Sequence, residues 1–118
     1  MSELVACLSV GKGTWGHVGR LIQESQWDKI FLITNEYGKE NFTKNEKTEF
    51  IVVNANQGLK ELRDEIYTKL KGKITGTEVA LNFISGSGKE HMALISAVLK
   101  LAVGIRLFAL TKDGTEEI

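Results

Sequence analysis

Two short segments of this chain carry the residue types that anion recognition needs. One is Gly11-Lys12-Gly13-Thr14-Trp15-Gly16 and the other is Ser85-Gly86-Ser87-Gly88-Lys89. Each combines glycines, which let the backbone approach a ligand closely, with hydroxyl groups and a lysine. Each follows an apolar run and opens a helical pattern. Unpaired backbone N–H groups and the positive end of a helix therefore point into the space beside it. Taken singly, a glycine in such a segment is a turn residue. Brought side by side, the two segments form a place for phosphates or a nucleotide backbone.

The motif details narrow this. The first segment fits G-x-G-x-x-G, the dinucleotide fingerprint, between a strand and a helix. Its acidic partner belongs about 20 residues further on, at the end of the second strand. The nearest candidate, Glu36, stands 25 residues after Gly11. The chain is short for a hydride-transfer enzyme with a separate substrate domain, so a dinucleotide-binding module stands as an alternative only. The second segment is not a Walker A loop. Phe83 occupies the position of its first glycine, and Glu90 follows the lysine where Ser or Thr is required.

Other reactive residues are few. His17 lies near the rim of the first loop, and His91 lies one turn into the helix after the second. Neither stands at a metal-site or triad spacing from Cys7. Both read first as packing or surface residues. Cys7, the single cysteine, sits in an apolar run and reads as a small buried hydrophobe, not a nucleophile. One cysteine cannot form an intrachain disulfide, which fits a cytoplasmic location. Trp15, Trp27 and Tyr37 have faces for stacking a base, with helix and edge packing as the simpler account of the tryptophans.

The elements that must position these loops follow from hydropathy patterning. Leu4–Val10, Lys29–Thr34, Glu49–Asn54, Glu78–Ile84 and Ile105–Leu110 are short apolar runs, as expected of strands buried on both faces. Trp15, Val18, Leu21 and Ile22 form one helical stripe over 14–23. Leu59, Leu62, Ile66, Tyr67 and Leu70 mark a second helix over about 57–71, with a charged outer face. A third helix runs from Gly88 to about Ala102 and is broken by Gly104. It is apolar on most sides, so it should be buried under the sheet or against a second subunit. Residues 35–48 read as a polar loop with room for one helical turn. The turn signal at 111–115 leaves a short sixth strand at Glu116–Ile118.

Strands alternating with helices, all strands apolar, imply an α/β fold: a three-layer, Rossmann-like, doubly wound, mainly parallel five-stranded sheet. Strand order 3-2-1-4-5 is favoured over 2-1-3-4-5. In the favoured order the two glycine-rich loops flank the switch point, where ligands of open parallel sheets bind.

Composition sets outer limits. A chain of 118 residues, 42% hydrophobic and 25% charged, suits one globular domain over 1–118 and argues against disorder. Fifteen basic and 15 acidic side chains give zero net charge, so binding of duplex nucleic acid through bulk charge is not expected. The N-terminus has no basic segment ahead of its apolar run, so it does not read as a signal peptide. Met92–Leu110 is nearly all apolar but contains Lys100 and Arg106, which argues for a helix and a strand over a membrane span.

These features resemble the CARF superfamily, the CRISPR-associated Rossmann fold. The first strand running into a Gly/Thr loop, the second strand KIFLITNE, and the fourth strand running into NFISGSGKEHM carry the likeness. CARF domains typically have Asn or Asp on strand 4, then a Ser/Thr-Gly-Gly-Thr-Lys-like turn, then an apolar residue opening a helix rich in small residues. Asn82, Ser85 to Lys89, and Met92 with Ala93, Ala97 and Ala102 look like that pattern. Asn82 precedes Ser85 by three residues and two residues separate Lys89 from Met92, each one more than is usual in the family.

The resemblance implies a homodimer with a groove that takes a cyclic oligoadenylate, and no cofactor or metal. By resemblance, Lys89 and then Lys12 would clamp phosphates. Thr14, Ser85 and Ser87 would donate hydroxyls, Asn35 and Asn82 would contact base or sugar, and Gly11, Gly13, Gly86 and Gly88 would shape the two loops. If the protein is a metal-independent ring nuclease, an alternative to a sensor domain, Lys89 and Ser87 are the catalytic candidates. A protein-interaction module, in which the loops merely cap helices, is the remaining alternative.

Overall fold

The computed structural model describes residues 2–9 and 12–118. Its strands are β1 (Ser2–Cys7), β2 (Trp27–Thr34), β3 (Thr48–Val52), β4 (Glu78–Asn82), β5 (Gly104–Thr111) and β6 (Gly114–Glu117). They form a sheet in the order β3-β2-β1-β4-β5-β6, so the favoured order 3-2-1-4-5 is the observed one. The first five strands are parallel, and β6 returns antiparallel to β5. The helices are α1 (Trp15–Glu24), α2 (Glu36–Asn41), α3 (Leu59–Leu70) and α4 (Gly88–Lys100), and a short 3-10 turn at Lys12–Thr14 precedes α1.

The apolar runs are strands because both faces of the sheet are covered. Leu4, Ala6, Ile30, Leu32 and Ala80 point to the face on which Val18, Leu21 and Ile22 of α1 pack. Val5, Phe31, Ile33, Ile51, Val79 and Leu81 point to the opposite face, under Leu62, Ile66 and Leu70 of α3 and Ala93, Leu94, Ala97 and Val98 of α4. Successive residues in the middle of β1, β2 and β4 thus feed two separate cores, whereas Arg106 of β5 stays at the surface on Glu78 and Glu117.

Several boundaries differ from the sequence reading, each for a local reason. Part of the expected loop 35–48 is the six-residue helix α2, capped by Asn35, whose side chain accepts from the Gly38 N–H at 2.9 Å. Gly38 is needed there, because a Cβ would stand 1.9 Å from Thr34 Oγ1. Helix α4 ends at Lys100, ahead of Ala102, which adopts φ 60°. Gly104 lies beyond that break: it opens β5, donating its N–H to Thr77 O at 2.9 Å. The sixth strand starts two residues early because Gly114, at φ 105°, completes the tight turn from β5. Leu59, expected on the buried stripe of the second helix, opens α3 and is 41% exposed. No helix among the described residues is long and apolar enough to cross a membrane.

Candidate functional site

Strands β1 and β4 are hydrogen-bonded neighbours, with Ala6 level with Asn82, so the segments leaving their carboxyl ends emerge side by side. Ser85 is buried and joins them. Its Oγ accepts the Ser9 N–H at 2.9 Å and bonds Ser9 Oγ at 3.2 Å. Ser9 O in turn accepts from Trp15 Nε1 at 2.7 Å, which fixes the start of α1 against the same junction. The Trp15 ring packs edge-on to Phe42 at 5.8 Å and stands 6.1 Å from Tyr37. Trp15 is thus a packing residue, and Tyr37 keeps an exposed face.

Gly86 follows Ser85 at φ 104°, a conformation that L side chains rarely adopt. A Cβ there would lie 3.1 Å from both Cys7 Cβ and His91 Nε2. His91 Nε2 donates to Ser85 O at 2.7 Å and holds the turn from beneath. Ser87 then caps α4: its Oγ accepts the Glu90 N–H at 3.2 Å, while a Glu90 carboxylate oxygen accepts the Ser87 N–H at 2.7 Å. This reciprocal box satisfies two donors of the helix end and sets a carboxylate beside it. Gly88 and Lys89 follow at the first two helical positions, where N–H groups have no intrahelical acceptor.

Lys89 does not point into the space between the two loops. Its Nζ donates to Ala55 O at 3.0 Å and, by a short bond, to Gln57 O. Both carbonyls belong to the segment between β3 and α3. Asn82 is buried and committed as well: Nδ2 donates to Phe108 O at 2.8 Å and lies 3.4 Å from His17 Nε2, while Oδ1 accepts the Ile84 N–H at 3.2 Å. His17 Nε2 accepts the Leu110 N–H at 3.2 Å, so this ring is the neutral form with its proton on Nδ1. Burial lowers the His17 pKa below its usual value. Burial, followed by the nearby Glu90 charge, pushes the Cys7 thiol far up, which leaves it unreactive as a nucleophile.

The structure thus gathers Ser85, Gly86, Ser87 and Gly88 on one side of the β1–β4 junction, and Gly13 and Thr14 at the start of α1 on the other. Gly13 is exposed, with open space where a Cβ would stand. Thr14 holds the position before α1 and makes no side-chain cap bond. Gly11 and the Lys12 side chain lie outside the described residues. Asn35 sits apart, beyond β2, where it caps α2 and borders a hollow of about 540 Å³ shared with Tyr37, Asn54, Glu65 and Lys69. A smaller hollow of about 220 Å³ opens at the ends of β4 and β5, lined by His17, Asn82, Phe83, Ile84, Leu107 and Ile118. Two further hollows, of about 530 and 540 Å³, lie at the amino ends of the strands, away from both loops.

Three residues of this arrangement are not among the site residues that the sequence singles out. Ser9 stood inside an apolar run and gave no signal. Glu90 gave one: Ser87-x-x-Glu90 is a capping-box pattern. His17 was noticed but unassigned, because its partner Leu110 is 93 residues away. Among the described residues no group of three or more His, Cys, Asp or Glu side chains is placed to hold a metal ion. No family model matches this chain, and no curated protein is significantly similar to it.

Proposed function

We propose that this protein is a nucleotide-ligand sensor domain of CARF type, working as a pair of copies that bind a cyclic oligoadenylate. The observation that carries the reading is the Ser9–Ser85 hydrogen bond at 2.9 Å. It sets the loop after β1 and the glycine turn after β4 edge to edge at the switch point of a parallel sheet, where ligands of this architecture bind. The helix ends of α1 and α4 open at the same junction, and Gly13, Gly88 and Lys89 present backbone N–H groups of the kind that hold phosphates.

A neutral chain suits such a ligand, which needs a few local donors and no basic surface. Lys89 is an exposed side chain held by two carbonyl oxygens. Exchanging those for a phosphate trades neutral acceptors for a charged one and is favourable. Ser87 is committed to its cap, and Lys89 is turned away from the junction. This favours binding over cleavage, and a ring nuclease would need both groups re-aimed.

The test is calorimetric titration and thermal shift with cyclic tetra- and hexa-adenylate, with NAD and linear oligoadenylate as controls and chromatography of the recovered ligand. A ligand at about 100 times its Kd adds about 2.7 kcal/mol of stability. A saturable shift with a cyclic ligand, recovered intact, supports the sensor reading. Recovery as linear product assigns a ring nuclease. A shift with NAD alone, or with no nucleotide, overturns the proposal.

A further inference from the structure

Lys89 is a cation held by neutral acceptors. Its Nζ donates to Ala55 O at 3.0 Å and to Gln57 O. Among the described residues it takes part in no ion pair. Glu90, next to it in the chain, is engaged elsewhere: a carboxylate oxygen accepts the Ser87 N–H at 2.7 Å. Lys89 also stands at the second position of α4, where the positive end of the helix disfavours a neighbouring cation. The exposed side chain therefore leaves its own helix end and crosses to the segment between β3 and α3.

That segment, residues 54–58, has no apolar anchor. Val53 before it and Leu62 beyond it are buried, but no residue of 54–58 belongs to either core. Ala55 and Gln57 are half-buried, and Asn54, Asn56 and Gly58 are exposed. Charged side chains of two different helices hold it. From α3, Glu65 Oε1 accepts the Asn54 N–H at 3.0 Å and Gln57 Nε2 at 2.6 Å, and Lys69 steadies that carboxylate at 2.9 Å. From α4, Lys89 takes the Ala55 and Gln57 carbonyls. The two ties meet at Gln57, whose side-chain amide goes to one and whose carbonyl goes to the other. A connection with little burial and exposed polar ties lies at the low end of local stability, so removing one tie loosens it.

We infer that residues 54–58 form a strap whose hold depends on Lys89, and that a phosphate at the start of α4 releases it. The inference rests on the phosphate-binding role given above to the β1–β4 junction, and adds how occupancy there is read out. Gly88 and Lys89 carry N–H groups without intrahelical acceptors. A phosphate on them is a charged acceptor beside an ammonium that now has only carbonyl dipoles. The ammonium turns to the phosphate, and the strap keeps only its Glu65 tie. Binding at one end of α4 thus becomes a change of order in the segment that leads into α3. The coupling is reciprocal: loosening the strap from the Glu65 side frees Lys89 and tightens anion binding.

The test uses the whole chain, with inorganic triphosphate as the probe at constant ionic strength. Backbone amide nitrogen relaxation reads the order of the strap. In the ligand-free wild type, order parameters for residues 55–57 are expected near about 0.85, and Lys89→Met is expected to lower them below about 0.6. Saturating triphosphate, followed by the Gly88 and Lys89 amide shifts, is expected to lower them equally in wild type and to leave the Lys89→Met values unchanged. Glu65→Ala is expected to loosen the strap without anion and to bind triphosphate at least about fivefold more tightly. Circular dichroism confirms that each variant is folded. Equal order in wild type and Lys89→Met overturns the inference. So does a strap that stays ordered in triphosphate, or a Glu65→Ala chain that binds triphosphate no more tightly. Cyclic tetra-adenylate is a separate arm. A strap that triphosphate releases in a chain with no affinity for cyclic tetra-adenylate supports this inference and refutes the cyclic-ligand reading.

Discussion

The Ser9 backbone N–H donates to Ser85 Oγ at 2.9 Å, tying the segment that leaves β1 to the segment that leaves β4. These residues are 76 positions apart, and Ser85 is 1% exposed. Ser85→Ala removes the acceptor and leaves a part-buried N–H unpaired, at a cost of about 1–3 kcal/mol. Urea denaturation of the variant against wild type measures it. An unchanged midpoint would mean that the two loops are held together by something other than this bond. Under the proposed function the same variant binds cyclic ligand more weakly, because the loops it joins lose their register.

Gly86→Ala tests the turn itself. The residue needs φ 104°, and an added Cβ meets Cys7 Cβ and His91 Nε2 at 3.1 Å each. Strain of this kind costs about 1–3 kcal/mol, and the contact with Cys7 cannot be relieved by rotating a flexible side chain. A fall of the thermal midpoint is expected by calorimetry. A D-alanine at the same position, introduced by chemical ligation, relieves the backbone strain and is expected to recover part of the loss. Equal midpoints for glycine and L-alanine would contradict the turn geometry.

Much of the scaffold was legible because it is written in local patterns. Val5 and Cys7 alternate with Leu4 and Ala6, yet all four are apolar, which is the mark of a strand with a core on each side. Alternation of such strands with the Val18, Leu21 and Ile22 stripe gave the layer order and the favoured strand sequence. The site was legible only as far as its glycines. The Lys89 side chain turns to Ala55 O and Gln57 O, partners more than 30 residues away, and no local pattern announces where a long side chain will rest. Asn82 likewise spends its amide on Phe108 O and the Ile84 N–H, a choice made by β5 lying beside β4. Helix α4 was readable as apolar on most sides, but that Ala93, Leu94, Ala97 and Val98 are the residues covered is decided by the sheet and α3 packing against them.

Lys89→Met separates the two roles open to that side chain. The thioether keeps the aliphatic stem and deletes the charge. Lys89 is exposed, so folding stability is expected to change little by chemical denaturation. Binding of a cyclic oligoadenylate is expected to weaken about tenfold or more, the worth of a charge-assisted hydrogen bond to phosphate. Calorimetric titration reads both the affinity and its salt dependence, which should be shallower in the variant. Undiminished affinity would remove Lys89 from the ligand site and leave it as a tie between α4 and the segment before α3.

His17 gives the fold a dependence on mildly acidic pH. Nε2 accepts the Leu110 N–H at 3.2 Å, so protonation there breaks the bond that joins α1 to β5. Burial holds the folded pKa below 6.5, whereas the unfolded chain titrates near 6.5. Below that value the unfolded state binds more protons than the folded state, so stability rises with pH across this window. The contribution is therefore complete above pH 6.5 and is lost as pH falls through the folded value. Glu65 and Glu117 also have lowered values, Glu65 through Lys69, Asn54 and Gln57 against the opposing effect of burial, and Glu117 through Arg106, but both start from 4.5 and act at more acidic pH. His17→Gln keeps an acceptor for the Leu110 N–H through Oε1 and removes the titration. Urea unfolding measured from pH 7.5 down toward the carboxylate range is expected to show a loss of stability below about pH 6.5 in wild type and a flatter profile in the variant. Parallel profiles would show that the imidazole is not the group responsible.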